Sequence, residues 1–438
     1  MGETESIGNK ERTKTFKDLI QEVHEPGICG QCGGCVSFCY AGDLIAIEMS
    51  PDGKPHYINE ENCLQCGICF LICPQINLLD EEIQAQFNWE PPIGSFKHII
   101  SGRTTDPEIK KVCSDGGIVT SLLVYLLEQK LIDGAIVSVS DGPFGRKPII
   151  ATTKEKIISA AGSRFIGKSN IEELGNFTTY SQTMFALRDI KNLDMLKIAV
   201  VGTPCQIHTI RKMQYLGVMP SHVVKYTIGL FCLENFSFGI DKLGEVEQVL
   251  GMKITDIKKI NLKEDFIITT KDGSVKHIPL SELEKVARPA CFACTDYAND
   301  FADISVGGIG SPEGYSTVII RNETGQKIYS NALRHKYIEE LNVGNELDLG
   351  SGLISYEKGI CLSSKARKDL LLKYARMKRK RGMDTLEKLR KDMYSPNQIV
   401  EDVKLDVEDT RSEKILEQKT NNEKGQMNLV NINPRNIN

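Results

Sequence analysis

Residues 291–321 read CFACTDYANDFADISVGGIGSPEGYSTVIIR, so that a Cys-x-x-Cys pair precedes a short apolar run and a glycine-rich loop. The pair consists of Cys291 and Cys294, and the loop has its glycines between positions 307 and 314. Such a pair alone fits a redox dithiol, half of a zinc site, half of an iron–sulfur site or two unrelated buried cysteines. The other cysteines of the chain are needed to choose among these.

Length and composition favour an ordinary globular protein of two domains followed by a tail. The chain has 438 residues, of which 41% are hydrophobic and 26% charged, and its net charge is -4. This charge argues against nucleic acid as a partner. No apolar run reaches the roughly 18–20 residues that cross a bilayer, and the polar N-terminus lacks a signal-peptide core. We therefore expect no transmembrane segment and a cytoplasmic location, at most peripheral to a membrane complex.

Eight of the fourteen cysteines form two runs with the spacing C-x2-C-x2-C-x3-C. This spacing is typical of two-cluster bacterial ferredoxins, in which the fourth cysteine of each run binds the other 4Fe-4S cluster. Zinc sites usually take two spaced pairs instead. The predicted ligand sets are Cys29, Cys32, Cys35 and Cys73 for the first cluster, and Cys63, Cys66, Cys69 and Cys39 for the second.

The pattern of apolar runs and turns predicts an α+β ferredoxin-like N-terminal domain followed by an α/β domain and a helical C-terminal extension. LIAIEM and KPHYIN, on either side of Pro51-Asp52-Gly53, predict a small hairpin in the first domain. The predicted layout is an N-terminal extension at 1–25, the ferredoxin domain at 26–80, a linker at 81–94, the α/β domain at 95–360, a basic helical segment at 361–396 and a disordered tail at 397–438.

Two further cysteines follow predicted strands of the α/β domain. Cys205 comes after KIAVVGTP and Cys232 after VVKYTIGLF, which is where strands of an α/β sheet deliver side chains to a site. With Cys291 and Cys294 they supply four thiolates, enough for a third 4Fe-4S cluster. Two buried structural cysteines and a zinc pair explain the residues equally well at this point.

The turn Ser114-Asp115-Gly116-Gly117 opens a predicted helix over Ile118–Glu128. The start of a helix can bind phosphate, but from the sequence alone a plain helix cap, which Ser or Asp supplies in many helices, is the favoured interpretation. No G-x-G-x-x-G motif follows a strand, so a Rossmann dinucleotide site of the usual type is not predicted.

Several motifs in order resemble the coenzyme F420 hydrogenase/dehydrogenase beta-subunit family over roughly residues 95–325. They are SDGGIVT (114–120), AAGSR (160–164), VGTPCQ (201–206), GLFCLENFS (229–237), CFACTDY (291–297), ADISVG (302–307) and GSPEGYST (310–317). The N-terminal ferredoxin-like segment makes the chain similar to the input subunit of dehydrogenases that oxidise reduced F420.

The resemblance implies an iron–sulfur flavoprotein that holds FAD and exchanges hydride with coenzyme F420. It implies that Cys205, Cys232, Cys291 and Cys294 bind a cluster. The implied FAD contacts are Ser114, Gly116, Gly117, Thr120, Ser163, Gly308, Gly310, Ser311 and Gly314. Arg164 and Lys168 are the candidates for binding the anionic tail of F420, with Arg103 and Arg146 after them. No catalytic acid or base is evident.

The implied electron path runs from F420 through FAD and three 4Fe-4S clusters to a redox partner subunit, which would be a hydrogenase, a membrane dehydrogenase or another electron-acceptor complex. Two alternatives remain open: a flavin-free electron-transfer module between two redox enzymes, and a flavin and iron–sulfur reductase of another substrate. The basic residues of the C-terminal helices are predicted to form a solvated face: Lys365, Arg367, Lys368, Lys378, Arg379, Lys380 and Arg381. Cys113 and Cys361 are predicted to be structural.

Overall fold

The computed structural model describes residues 12–50, 53–140, 146–162, 197–235, 243–262, 265–341, 352–356 and 359–393. The chain divides into two compact units, Met1–Met383 and Asp384–Asn438. Of the second unit, only the last turns of one helix are described. No described helix is both long and apolar enough to cross a lipid bilayer.

The helices run along most of the described chain. They are α1 (Phe16–Leu19), α2 (Gly34–Ala41), α3 (Ile68–Leu71), α4 (Asp80–Phe87), α5 (Pro107–Val112), α6 (Ile118–Glu128), α7 (Lys154–Ser159), α8 (Pro204–Leu216), α9 (Leu243–Leu250), α10 (Leu280–Leu283), α11 (Pro289–Phe292), α12 (Glu323–Arg334) and α13 (Ser364–Met393). The predicted helix over Ile118–Glu128 coincides with α6, which confirms that prediction.

The strands form one large sheet and three small ones. They are β1 (Ile47–Met49), β2 (Pro55–Tyr57), β3 (His98–Thr104), β4 (Gly134–Ser140), β5 (Arg146–Ala151), β6 (Ile198–Gly202), β7 (Val224–Leu230), β8 (Ile257–Leu262), β9 (Asp265–Thr270), β10 (Val275–Pro279), β11 (Ile304–Gly307), β12 (Ser316–Ile320), β13 (Ile338–Glu340), β14 (Leu353–Tyr356) and β15 (Gly359–Leu362). The predicted hairpin β1–β2 is present, and β9 and β10 form a second antiparallel hairpin.

The large sheet has the strand order β13-β3-β12-β11-β7-β6-β4-β5. Its four central strands, β4, β6, β7 and β11, are parallel neighbours, whereas the outer strands pair antiparallel. Every residue of β6 is buried, as expected for an apolar strand covered on both faces of a sheet. The predicted α/β architecture of this region is therefore observed.

Helices cover both faces of this sheet. On one face α6 and α12 pack against the strands through residues such as Leu122 and Tyr329. On the other face α8 packs through Ile207 and Ile210, and the same core contains residues from the N-terminal part of the chain.

That N-terminal contribution consists of Ile72, which follows α3, and Ile83 of α4, both fully buried. The region predicted as a linker, 81–94, thus includes most of a helix that packs against the large sheet. The cysteine-rich segment consequently shares a hydrophobic core with α8 and the sheet, which brings its cysteines next to the residues that follow β6 and β7.

Candidate redox cofactor site

The parallel strands of the large sheet end at one edge, where the candidate site lies. β6 ends at Gly202, β7 at Leu230 and β11 at Gly307, and these three strands are hydrogen-bonded in the order β11-β7-β6. Cys205 is the second residue of α8, and Cys232 lies two residues beyond β7. Because parallel strands deliver the residues that follow them to the same edge, the topology places both cysteines beside the glycine-rich loop after β11.

The four cysteines predicted to hold a third cluster lie together. In addition to burial, the nearby Cys291 and Cys294 raise the pKa of Cys232, and the nearby Cys294 and Cys232 raise the pKa of Cys205. The four side chains are therefore close in space. The backbone N–H of Asn235 donates to Cys291 Sγ over 3.2 Å. Backbone donors to cysteine sulfur are the usual surroundings of an iron–sulfur cluster.

Burial controls the protonation of these thiols in the absence of iron. It raises the pKa of Cys232 to about 12 and raises the pKa of Cys205 well above its ordinary value. The pKa of Cys294 is also raised, again chiefly by burial. Thiolate ligands must be deprotonated, so incorporation of iron would release protons and supply the charge that these buried sulfurs need. The donor set therefore fits a cluster.

The first N-terminal set, Cys29, Cys32, Cys35 and Cys73, is also brought together. Burial raises the pKa of Cys35 well above its ordinary value, and the nearby Cys32, Cys29 and Cys73 raise it further. Burial likewise raises the pKa of Cys73, and the thiols of Cys32 and Cys29 raise it further. The four residues are thus close in space, and Cys69 of the other set also lies near Cys35. The division of the eight cysteines between two clusters stays a prediction.

The second set, Cys39, Cys63, Cys66 and Cys69, forms a separate group nearer the surface. Burial is the main cause that raises the pKa of Cys69 to about 12, and the nearby Cys66, Cys63 and Cys39 contribute to the same shift. Cys66 is exposed. No three His, Cys, Asp or Glu side chains among the described residues lie close enough to share one metal ion. In a 4Fe-4S cube each iron takes its own cysteine.

The two cysteine runs share a backbone conformation that lets the chain curl around a ligand. Gln31 and Gln65, which occupy equivalent places in the two runs, have φ values of 51° and 52°. Gly33 and Gly67, two residues further on, have φ values of 79° and 75° and begin α2 and α3. Repeated left-handed residues turn successive N–H groups to one side of a loop, which suits an anionic cluster.

The first set lies directly beside the third. A Cβ placed on Gly30 would lie 3.8 Å from Cys205 Sγ, and Cys32 Sγ is 3.5 Å from the hydroxyl of Thr209 on α8. Gly34 approaches the same threonine so closely that a Cβ on it would lie 2.2 Å from Thr209 Cγ2. α8 therefore carries one ligand of the third set and also contacts the loop of the first.

A cavity of about 250 Å³ opens on the other side of the third set. Its lining includes four of the predicted FAD contacts, Ser114, Gly117, Thr120 and Gly308. The wall nearest the cysteines is apolar and contains Leu230, Phe231, Leu233, Val306, Ile309, Tyr297 and Tyr374. Phe231 and Leu233 are the immediate neighbours of Cys232, so the cavity reaches within one residue of a cluster ligand.

The composition of this cavity fits a flavin. Flavin and other cofactor sites combine an apolar wall with a few polar groups at one end. The polar end here is the turn before α6, where Gly117 has φ 71° and caps a helix of eleven residues. The N–H groups at such a helix start can bind a phosphate.

Four predicted FAD contacts do not line the cavity: Gly116, Gly310, Ser311 and Gly314. Gly116 donates its N–H to Ser316 Oγ over 3.0 Å, and a Cβ there would lie 2.4 Å from the carbonyl oxygen of Gly102. Ser311 Oγ is 2.6 Å from Thr317 Oγ1, and Gly310 accepts a hydrogen bond from Arg367 Nε over 3.0 Å. Gly116, Gly310 and Ser311 thus make contacts within the protein, and FAD binding by all four residues stays a prediction.

Of Ser163 and the four cationic candidates for F420 binding, the structure describes the side chain of one, Arg103. Ser163, Arg164 and Lys168 lie outside the described residues, and the side chain of Arg146 is not described. Arg103 forms an ion pair with Glu339, and its guanidinium carbon lies 4.7 Å from the centroid of the Tyr315 ring. Arg103 is thus already engaged within the protein.

Helix α13 contributes to the site, which sequence reasoning missed. The prediction of a solvated basic face is wrong for Arg367 and Lys378, which are 4% and 1% exposed. Lys378 Nζ donates to the carbonyl oxygen of Cys232, and a Cβ on Gly382 would lie 2.7 Å from the carbonyl oxygen of Cys294. Helix α13 therefore packs against the backbone of Cys232 and Cys294, two members of the third set. The buried Leu371 and Ala375 precede Lys378 at helical spacing, a pattern that could have revealed this face.

Lys378 is a buried cation beside the third set, and its Nζ donates to the carbonyl oxygen of Cys232. Burial lowers its pKa, but Cys294, Cys232 and Cys291, when they are thiolates, outweigh this and raise the pKa well above the ordinary value. The remaining two cysteines outside the three sets also occupy defined places. Cys361 is buried, whereas Cys113 lines the cavity with its Sγ 3.0 Å from the carbonyl oxygen of Asp115.

We predict that Lys378→Met lowers the free energy of unfolding by ~1–3 kcal/mol, because the carbonyl of Cys232 is left buried without its donor. The measurement is guanidinium unfolding of the iron-loaded protein under anaerobic conditions. Lys380→Met is the matched control, since Lys380 lies on the same helix and is exposed. Equal unfolding midpoints for the two variants would mean that Lys378 does not support the site.

The fold and the edge with its cysteines and cavity define an α/β redox protein, and comparison with known proteins specifies the family. Residues 99–174 match the model described as coenzyme F420 hydrogenase/dehydrogenase, beta subunit N-term, and residues 195–346 match the corresponding C terminus. The two matches together cover more than half of the chain. The protein belongs to the coenzyme F420 hydrogenase/dehydrogenase beta-subunit family, as its motifs predict. The predicted enzyme class, an F420-dependent oxidoreductase, is the class of that family.

Individual relatives agree with this assignment. The coenzyme F420 hydrogenase subunit beta of Methanosarcina barkeri is 36% identical over 269 residues, which span 59% of this chain and 88% of the relative. The coenzyme F420-dependent sulfite reductase of Methanocaldococcus jannaschii is 32% identical over 349 residues, 75% of this chain but only 50% of that protein.

A solved structure shows the same fold. A chain of the F420-reducing NiFe hydrogenase complex from Methanosarcina barkeri has a TM-score of 0.56 and 32% identity, covering 68% of this chain and 94% of that one. The eight N-terminal cysteines lie outside both family matches, whereas Cys205, Cys232, Cys291 and Cys294 lie within the second.

Proposed function

We propose that this protein exchanges hydride with coenzyme F420 through FAD and passes single electrons through three 4Fe-4S clusters to or from a partner redox protein. FAD, when bound, supplies the conversion between a two-electron hydride transfer and one-electron transfers. The observation that carries the proposal is that the two residues on either side of Cys232, Phe231 and Leu233, both line the cavity.

Different residues of the cavity would bind the phosphates of the flavin and exclude water from the site. The turn before α6 places Ser114 and Gly117 in the cavity lining at a helix start, where the phosphates of the flavin would bind. Phe231 and Tyr297, with the rest of the apolar wall, keep water from the side of the cavity that faces the cysteines. Excluding water strengthens the electrostatic interactions inside a site and prevents loss of electrons to solvent species.

The positions of the three cysteine sets support a path for electrons between the cavity and the protein surface. The third set adjoins the cavity, the first set adjoins the third through Gly30 and Cys205, and the second contains the exposed Cys66. In this order, the set that contains the exposed Cys66 is the last one on the path away from the cavity. A redox partner would bind there, and the solved relative is itself part of a hydrogenase complex.

A second candidate keeps the cofactors and changes the electron acceptor. The match to the F420-dependent sulfite reductase spans 75% of this chain, more than the 59% covered by the hydrogenase subunit. This chain spans half of the length of that reductase. In this second candidate, the cofactors supply electrons for the reduction of an oxidised substrate.

The test is anaerobic reconstitution of the full chain with iron, sulfide and FAD, followed by mixing with reduced F420. The proposal predicts about twelve iron atoms and one FAD per chain, and bleaching of the flavin by reduced F420. Protein that loads iron and no FAD would support a flavin-free electron-transfer module. Bound FAD that reduced F420 leaves oxidised would point to a different hydride donor.

A further inference from the structure

Arg288 is a buried cation at the junction of the first and third cysteine sets. It is 3% exposed and begins the short helix α11, three residues before Cys291. Its Nη1 donates to the carbonyl oxygen of Gly30 over 2.6 Å. Gly30 lies between Cys29 and Cys32 and contacts Cys205. The side chain thus reaches from the loop of one set to the loop of another.

The remaining donors of Arg288 have no hydrogen-bond partner among the described residues. Nε and Nη2 are both buried and unpaired there. A buried guanidinium whose donors are unpaired is strongly disfavoured unless an anionic group accepts from them. Arg288 lies three residues before Cys291 of the third set, and its Nη1 is bound to the loop that carries Cys29 and Cys32 of the first. Sulfur atoms of clusters bound at these two sets would be the acceptors for Nε and Nη2.

We propose that Arg288 is a positioning residue for electron transfer, which holds the first and third clusters side by side and stabilises the reduced form of both. This inference rests on the proposed function, because it requires clusters at both sets. When one electron leaves the third cluster and enters the first, the total negative charge around Arg288 is unchanged. A single fixed cation between the two sites therefore favours reduction of each without opposing transfer between them.

Hydrogen bonds to sulfur and local charge are two of the features that set the reduction potential of a cluster. Arg288 would supply both, because its Nη1 is bound to the carbonyl oxygen of Gly30 while its buried Nε and Nη2 have no partner among the described residues. The guanidinium group is planar and holds these donors in a fixed arrangement. Lys378 instead donates to the carbonyl oxygen of Cys232, in the third set. Arg288 is a cation that lies in the segment before Cys291 and is bound to the loop of the first set.

The test is a redox titration of the reconstituted full chain followed by electron paramagnetic resonance, with Cys291→Ser and Cys66→Ser assigning the signals. Arg288→Met is expected to shift the reduction equilibria of the first and third clusters about tenfold towards the oxidised form, ~59 mV for a one-electron couple. The second cluster is the internal reference and should keep its potential. Arg288→Lys, which retains the charge, should shift them less.

Arg211→Met serves as the matched control, since Arg211 is largely buried and binds Asp303 and the carbonyl oxygen of Phe301. It should leave all three potentials unchanged. If Arg288→Met fails to bind iron, Arg288→Gln replaces it. Unchanged potentials in the neutral variant that retains about twelve iron atoms would overturn the inference alone. Failure of the wild-type protein to bind the first or third cluster would instead overturn the proposed function.

Discussion

Cys291→Ser is expected to abolish electron transfer from the cavity to the N-terminal clusters while leaving the flavin reducible. Cys291 belongs to the third set, and Cys232 of the same set lies beside the cavity. Loss of one thiolate ligand should remove that cluster only, so that iron falls from about twelve to about eight atoms per chain. Reduced F420 should still bleach the FAD, because the cavity lining is unchanged.

The measurement combines iron analysis with rapid mixing, in which flavin bleaching and cluster reduction are followed separately. Cys361→Ser is the control, since Cys361 is a buried cysteine of β15 outside the three sets. It should retain about twelve iron atoms and normal cluster reduction. Equal loss of iron from all three clusters in Cys291→Ser would show that the sets do not assemble independently, and would count against this division of ligands.

Ser138→Trp is expected to produce a protein that holds its clusters and lacks FAD. Ser138 lies on β4 and lines the cavity beside Val137. A tryptophan there would occupy space that the flavin needs. Overpacking a well-filled site costs ~1–3 kcal/mol, and 1.4 kcal/mol is a factor of ten in affinity, so FAD should bind about tenfold more weakly or worse.

Flavin content and iron content of the same sample provide the measurement. Ser159→Trp is the control, because Ser159 is an exposed residue at the end of α7 and does not line the cavity. The control should bind FAD normally. Normal FAD content in Ser138→Trp would place the flavin elsewhere, whereas loss of iron together with FAD would indicate misfolding and not displacement.

Sequence reasoning succeeded where local patterns determine position. The two cysteine runs are defined by spacing, and the structure brings their members close together, while the division into two ligand sets stays a prediction. Cys205 and Cys232 follow apolar strands, and parallel pairing of β6 and β7 necessarily brings their ends together. These features depend on a few neighbouring residues and on a general rule of sheet topology.

The rest depends on contacts between distant segments. Lys378 and Arg288 look like ordinary basic residues in the sequence, and only the packing of α13 and of the Gly30 loop buries them. Gly310 has φ 78°, which explains why it is glycine, but its neighbour is Arg367 and not the cavity. A glycine-rich loop alone therefore cannot distinguish a cofactor contact from a close approach of two backbone segments.

The central claim is that a flavin in the cavity is the entry point for electrons that reach the clusters. Its most direct test compares flavin-loaded and flavin-depleted samples of the iron-loaded full chain, each mixed anaerobically with reduced F420 and monitored for cluster reduction by electron paramagnetic resonance. The account predicts reduced clusters in the flavin-loaded sample and oxidised clusters in the flavin-depleted one, with recovery when FAD is added back. Equal cluster reduction in both samples would contradict it.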